Sequence, residues 1–157
     1  GGEGYIGTVL SYHLLQSGYS VKSLDLLLYQ NHHCVLNHLG NKKYYFIYGD
    51  MVDKKLLKEA IKDVDAVILL AGLVGDPITK KYPEESVAIN EKAVQTVIDV
   101  CDKKDIKRLI LVSTCSNYGL IEGDYLAGEE YDLNPLSLYA KSKVNAEKYV
   151  QLLKGKT

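Results

Sequence analysis

Tyr139 and Lys143 stand one helical turn apart in LYAKSK (138–143), a spacing that can move a proton. A free tyrosine titrates near ~10 and is a poor base at neutral pH. A lysine ammonium on the same helix face favours the phenolate, which can then take a proton and later return it. Alone the pair says little, because surface helices often contain it. Its weight comes from residues upstream. LILVSTCSNYG (109–119) is an apolar run closed by Ser113 and Thr114. At the C-terminal edge of a parallel sheet a hydroxyl faces the crevice where ligands bind. There Thr114 could hydrogen-bond a reacting hydroxyl beside Tyr139. The plainer alternative is a strand-end residue that satisfies backbone groups.

The chain opens with GGEGYIG (1–7), where two glycine spacings overlap. Gly2-x-Gly4-x-x-Gly7 is the general dinucleotide pattern, and Gly1-x-x-Gly4-x-x-Gly7 is a wider version. Glycines allow the tight turn and let backbone N–H groups approach a pyrophosphate at a helix N-terminus. Gly1, Gly4, Tyr5, Ile6 and Gly7 are therefore candidate cofactor contacts, although a plain strand-to-helix turn can look the same. Asp25 follows at close to the ~20-residue offset of the acid that binds the adenosine ribose hydroxyls. A carboxylate there favours NAD over NADP, since it repels a 2′-phosphate, and neither Glu3 nor Leu26 offers a cation. Asp50, with Met51 beside it, could accept from the adenine amino group or serve as a cap or turn residue.

Positioning these residues requires alternating elements. Ile6, Val9, Leu10 and Leu14 recur at helical spacing behind the glycines, with Gly18 as a stop. VKSLDLLLY (21–29) and KYYFIYGD (43–50) read as buried strands, and Asp53 caps a helix to about 62. DAVILLAG (65–72) is a third strand, followed by a loop holding Gly75, Asp76 and Pro77. An amphipathic helix is expected over 84–103, with Val87, Ala88, Val94, Val97 and Ile98 on its inner side. KRLILVST (107–114) is a fourth strand, and Pro135 precedes a last helix over 137–153. Near-continuous apolar strands alternating with helices predict a doubly wound α/β fold with a parallel sheet covered on both faces. No repeat or linker breaks 1–157, which reads as one NAD-binding, Rossmann-like three-layer domain.

Composition narrows the function. The 157 residues carry 19 basic and 20 acidic side chains, so no basic field invites nucleic acid or a membrane surface. No apolar run approaches the ~20 residues that span a bilayer. Cys34, Cys101 and Cys115 are scattered, which fits a reducing cytoplasm better than a disulfide framework. His32, His33, Cys34 and His38 cluster, but their spacing matches no usual metal-ligand pattern, and they read as a polar loop.

Taken together, GGEGYIG, Asp25, the Gly-Asp pair at 49–50, LLAGLVGDP (69–77), Asn90, STCSNYG (113–119) and NPLSLYAKSK (134–143) resemble one family. This is the extended branch of the short-chain dehydrogenase/reductase superfamily, the NAD-dependent nucleotide-sugar epimerases and dehydratases. The resemblance implies bound NAD, a catalytic set of Thr114, Tyr139 and Lys143, and a cofactor lining of Leu70, Ala71 and Gly72, with Tyr139 and Lys143 also touching the cofactor. Asn90 is implied to kink a helix or face the cofactor.

Dehydratases of this branch carry an Asp–Glu pair after the threonine, and related decarboxylases carry a Glu at the second place. Here Cys115 and Ser116 stand there, which disfavours 4,6-dehydration and decarboxylation. A nucleotide-sugar epimerase is the reading that remains. A keto-sugar reductase and a non-catalytic NAD sensor are the alternatives. The resemblance further implies a homodimer built on helices near 84–103 and 137–153. It also implies a strand before the glycines and a substrate region after the last helix. On that reading this chain is part of a protein about twice as long, unstable or inactive alone, with an unfilled or rearranged place beside strand 65–70.

Overall fold

The computed structural model describes residues 1–104, 106–121, 123 and 126–152. Strands β1 (Val21–Asp25) and β2 (Tyr44–Tyr48) pair in parallel, as do β3 (Ala66–Leu69) and β4 (Arg108–Leu111). These are two two-stranded sheets, and among the described residues no ladder joins β1 to β3. Gly1 lies against the end of β1: its N donates to Leu24 O at 2.7 Å.

Every strand is shorter than its apolar run. The 21–29 run stops at Asp25 because the Asp25 carboxylate accepts from Leu27 N at 2.7 Å and Leu27 turns to φ 54°. That local turn takes the backbone out of the ladder. The strands are also less covered than their sequences predict, and Ile110 on β4 is exposed.

Helix α1 (Tyr5–Gln16) follows the glycines directly. Its buried side is Gly7, Ser11 and Leu15, whereas Ile6 and Val9 face outward, contrary to the expected face. Residues 32–36 form the short helix α2 (His32–Leu36) where a loop was expected. Asp53 caps α3 (Lys54–Ala60) as predicted, accepting from Lys55 N and Leu56 N. The loop expected around Asp76 is instead helix α4 (Asp76–Lys81), with a proline in its first turn, where a missing N–H costs nothing. The long helix over 84–103 is three segments: α5 (Pro83–Val87), a π-helical stretch (Ala88–Ala93) and α6 (Val94–Lys103). The wider π turn shifts the buried face. Ala88 is thereby exposed, while Val94, Val97 and Ile98 stay inside. A 3₁₀ turn (Cys115–Tyr118) follows β4. Ser137 caps α7 (Leu138–Gln151), accepting from Ala140 N at 3.1 Å; residue 153, the predicted end, lies outside the described residues.

The main core joins both sheets through helices. Met51, Leu57, Leu69, Val94, Val97, Ile98, Cys101, Leu109 and Ala146 pack together, with Leu24 of β1 against them. A second cluster, Leu15, Leu27, Val35 and Tyr44, seats α1 and α2 on the β1–β2 pair.

Candidate active site

The glycine loop turns between the ends of β1 and β3. A Cβ on Gly7 would sit 2.4 Å from Gly2 O and 2.7 Å from Gly1 O, so only glycine lets α1 pack this close. A Cβ on Gly1 would meet Ala71 N at 2.5 Å, which brings the loop against Leu70 and Ala71. Gly4 differs. Its backbone is extended, and a Cβ there would meet only Gly1 O, at 3.4 Å. The fold does not need glycine at position 4. The space beside it is a cradle at the helix start, where no side chain caps the first-turn N–H groups. Such a cradle, lined by the donors of Tyr5, Ile6 and Gly7, suits a pyrophosphate.

Asp25 closes β1 at the same edge. Its Oδ2 accepts from Glu3 N at 2.9 Å, so the expected ribose acid also fixes the glycine loop. Glu3 is 1% exposed. Its Oε1 accepts from Ser23 Oγ at 2.5 Å and Tyr44 Oη at 2.7 Å, while Oε2 is buried without a partner. Burial, then this carboxylate, pushes the Tyr44 hydroxyl well above its usual range. The Glu3 side chain thus points into the protein and cannot meet a ribose phosphate directly.

Asp50 lies at the same edge, since Gly49 N donates to Asp25 O at 3.0 Å. One Asp50 oxygen accepts from Val52 N at 3.1 Å, the turn role considered for it, and the other is free among the described contacts. The Met51 side chain is in the core, away from the edge.

The partner edge carries the other set. The pairing of Leu69 with Leu111 sets 70–72 beside 112–114. Asn90, buried in the π stretch, fixes the first of these segments. Its Oδ1 accepts from Leu73 N and its Nδ2 donates to Leu73 O, both at 2.8 Å. A Cβ on Gly72 would come within 2.9 Å of Asn90 Oδ1. Thr114 caps the 3₁₀ turn: its Oγ1 accepts from Ser116 N at 3.2 Å, which leaves its own proton to donate outward. Lys143 Nζ donates to Val112 O at 2.8 Å and lies 5.8 Å from the Tyr139 ring centroid. That single bond leaves two ammonium protons for a ligand. Burial raises Tyr139 and lowers Lys143.

One residue escaped the sequence reading. Glu147 continues the Tyr139–Lys143 spacing by one more turn, which is the signal that could have found it. Its Oε1 accepts from Ser113 Oγ and, at 2.9 Å, from Asn117 Nδ2. Cys115 and Ser116 are exposed and bring no carboxylate. His38, from the histidine cluster, is buried against Tyr44 at 5.1 Å between ring centroids.

The family model described as "NAD dependent epimerase/dehydratase family" matches residues 1–156. A putative UDP-glucose 4-epimerase of Methanocaldococcus jannaschii is 31% identical over 155 residues, 97% of this chain and 48% of that protein. A UDP-N-acetylglucosamine 4,6-dehydratase (inverting) of Campylobacter jejuni is 34% identical over 104 residues, 66% of this chain and 26% of that protein. Among solved structures, a tyrosine-to-phenylalanine mutant of UDP-glucuronic acid 4-epimerase from Bacillus cereus, in complex with UDP-4-deoxy-4-fluoro-glucuronic acid and NAD, superposes with a TM-score of 0.86 at 26% identity, covering 98% of this chain and 50% of that one. The chain spans about half the length of the relatives it matches end to end.

Proposed function

The chain belongs to the NAD-dependent epimerase/dehydratase family, whose members are enzymes, and on that premise we propose that its protein is a nucleotide-sugar epimerase. In this reading Gly1, Gly4 and the first-turn donors of Tyr5, Ile6 and Gly7 hold the NAD pyrophosphate. Asp25 binds the adenosine ribose, Asp50 accepts from the adenine, and Leu70, Ala71 and Gly72 line the cofactor. Bound NAD supplies a carbon that takes a hydride from a sugar carbinol and gives it back. Tyr139 takes the carbinol proton, Thr114 donates a hydrogen bond to the same oxygen, and Lys143 holds positive charge beside both. The keto-sugar then presents its other face, and Tyr139 returns the proton.

One observation carries epimerisation over dehydration. Loss of water needs an acid and a base beside the threonine. Cys115 and Ser116 provide neither, and the carboxylate found nearby, Glu147, is committed to Ser113 and Asn117. Epimerisation asks for no such pair. A keto-sugar reductase would use the same three side chains. A pairing of two copies through 84–103 and 137–153 belongs to the same proposal and is checked by sedimentation.

The test is a nucleotide-sugar panel on the full-length protein. Interconversion of two epimers with no net NADH formed or consumed is expected. A keto-deoxy-sugar product, or stoichiometric NADH oxidation, would replace this reading with dehydration or reduction. NAD binding with neither would leave a sensor.

A further inference from the structure

We propose that Glu147 is a positioning residue: it ties the end of β4 to α7 and sets its charge one helical turn from Lys143, so one carboxylate serves both the Thr114 strand end and the lysine beside Tyr139. This rests on the reading that Thr114, Tyr139 and Lys143 do the chemistry.

The surroundings of Glu147 are built for an anion. Ser113 O–H and Asn117 N–H both donate to the same oxygen, Oε1. Asn117 Nδ2 also donates to Ser113 Oγ at 3.0 Å, while Asn117 Oδ1 is buried without a partner. The amide therefore turns its donor side to the carboxylate and leaves its acceptor unused. Ser113 immediately precedes Thr114, and Asn117 lies within the turn that Thr114 caps. Anchoring both to Glu147 fixes Thr114 relative to the helix that carries Tyr139.

The charge argument is separate. Glu147 stands four residues past Lys143 on α7, the spacing that brings two side chains onto one helix face; burial works against the Lys143 ammonium, and the Glu147 charge opposes this. Among the described contacts no ion pair joins Glu147 to Lys143, so the two ammonium protons not spent on Val112 O stay available to a ligand. Other elements against α7 carry charges that act elsewhere. On α6, Asp99 accepts from Tyr149 Oη at 2.7 Å. In the π stretch, Glu91 accepts from Asn145 Nδ2 at 3.5 Å, with Lys92 beside it exposed. Asp76, Lys80 and Lys81 on α4 and Glu84 and Glu85 on α5 are exposed. In the 3₁₀ turn Cys115 is exposed, and Tyr118 pairs edge-on with Tyr131.

The test follows Lys143 Nζ acylation against pH by mass spectrometry in the full-length protein without substrate, beside kcat and KM for the nucleotide sugar. Glu147→Gln keeps the length and an acceptor oxygen but removes the charge. The Lys143 midpoint is expected to fall by about half a pH unit or more, and the alkaline limb of kcat to fall with it. An unchanged midpoint overturns the charge role. Ser113→Ala keeps Glu147 but cuts the tie to β4. Its kcat is expected to fall several-fold, with KM and the Lys143 midpoint unchanged. A wild-type kcat in that variant overturns the positioning role, and it does so even if Glu147→Gln fails to fold. A wild-type protein without epimerase activity whose Lys143 midpoint still falls in Glu147→Gln would sink the functional reading and leave the charge role standing.

Discussion

Burial sets the Tyr139 and Lys143 titrations against the chemistry asked of them. The phenol is raised and the ammonium lowered, both chiefly by desolvation. Oxidation of a carbinol needs phenolate and ammonium together. Phenolate grows as pH rises toward a raised value, and ammonium is lost as pH rises through a lowered one. The two limbs therefore lie close. A pH profile of kcat/KM is expected to be a narrow bell with its maximum above neutrality, and a flat profile across the neutral range would contradict it. Tyr139→Phe is expected to lower kcat by about 10²–10⁴-fold while the circular-dichroism melt stays unchanged. The glycines separate fold from binding at the same scale. Gly7→Ala forces a Cβ into Gly2 O and should destabilise the protein. Gly4→Ala meets only an ordinary contact, so its stability should change by about 1 kcal/mol or less. Its NAD affinity, read by fluorescence titration, should nevertheless drop, because the new methyl fills the cradle. Unaltered affinity in Gly4→Ala would remove the cradle from the account.

Asn90 shows how an element can serve the site without touching it. The π stretch Ala88–Ala93 turns this side chain inward, and both ends of its amide clasp Leu73, just past the 70–72 lining. Asn90→Ala would strand a buried N–H and a buried C=O, each worth about 1–3 kcal/mol. Chemical denaturation should show a loss within the sum of those ranges and a weaker hold on NAD; a loss near zero would mean the clasp is dispensable. This element also marks where the sequence was readable and where it was not. Tyr139 and Lys143 were legible because their relation is local, one turn on one helix. The glycine loop and Asp25 were legible for the same reason, a fixed offset across one helix and strand. Glu147 was not, because its meaning depends on Ser113 and Asn117, which arrive from the far end of a different strand. The π turn was legible only through the resemblance, which pointed to Asn90 as a helix-kinking residue; the apolar period of 84–103 alone suits one straight helix. The strand ends were overrun because apolarity continues past the ladder, while side-chain bonds such as Asp25 to Leu27 end it.

The whole molecule divides its proposed cofactor contacts between two sheets. The glycine loop, Asp25 and Asp50 belong to the β1–β2 side, and 70–72, Thr114, Tyr139 and Lys143 to the β3–β4 side. Among the described residues no ladder crosses between them. What joins them is the core around Val97, Ile98 and Leu69, with Leu24 against it, and the seat of Gly1 between Leu24 and Ala71. A ligand that bonds both sides must therefore stabilise their association as well as occupy a site. NAD at a hundred times its dissociation constant should add about 2.7 kcal/mol. For a protein of this size or somewhat larger, that is a rise in Tm of roughly 5–10 °C. NADP should raise Tm less at equal concentration, because Asp25, already held by Glu3 N and Leu27 N, cannot swing away from a 2′-phosphate. Asp25→Ala separates the two contributions: it should shrink the NAD shift and narrow the gap between the cofactors. An equal shift with NADP in the unaltered protein would mean that the carboxylate at the end of β1 does not read the ribose.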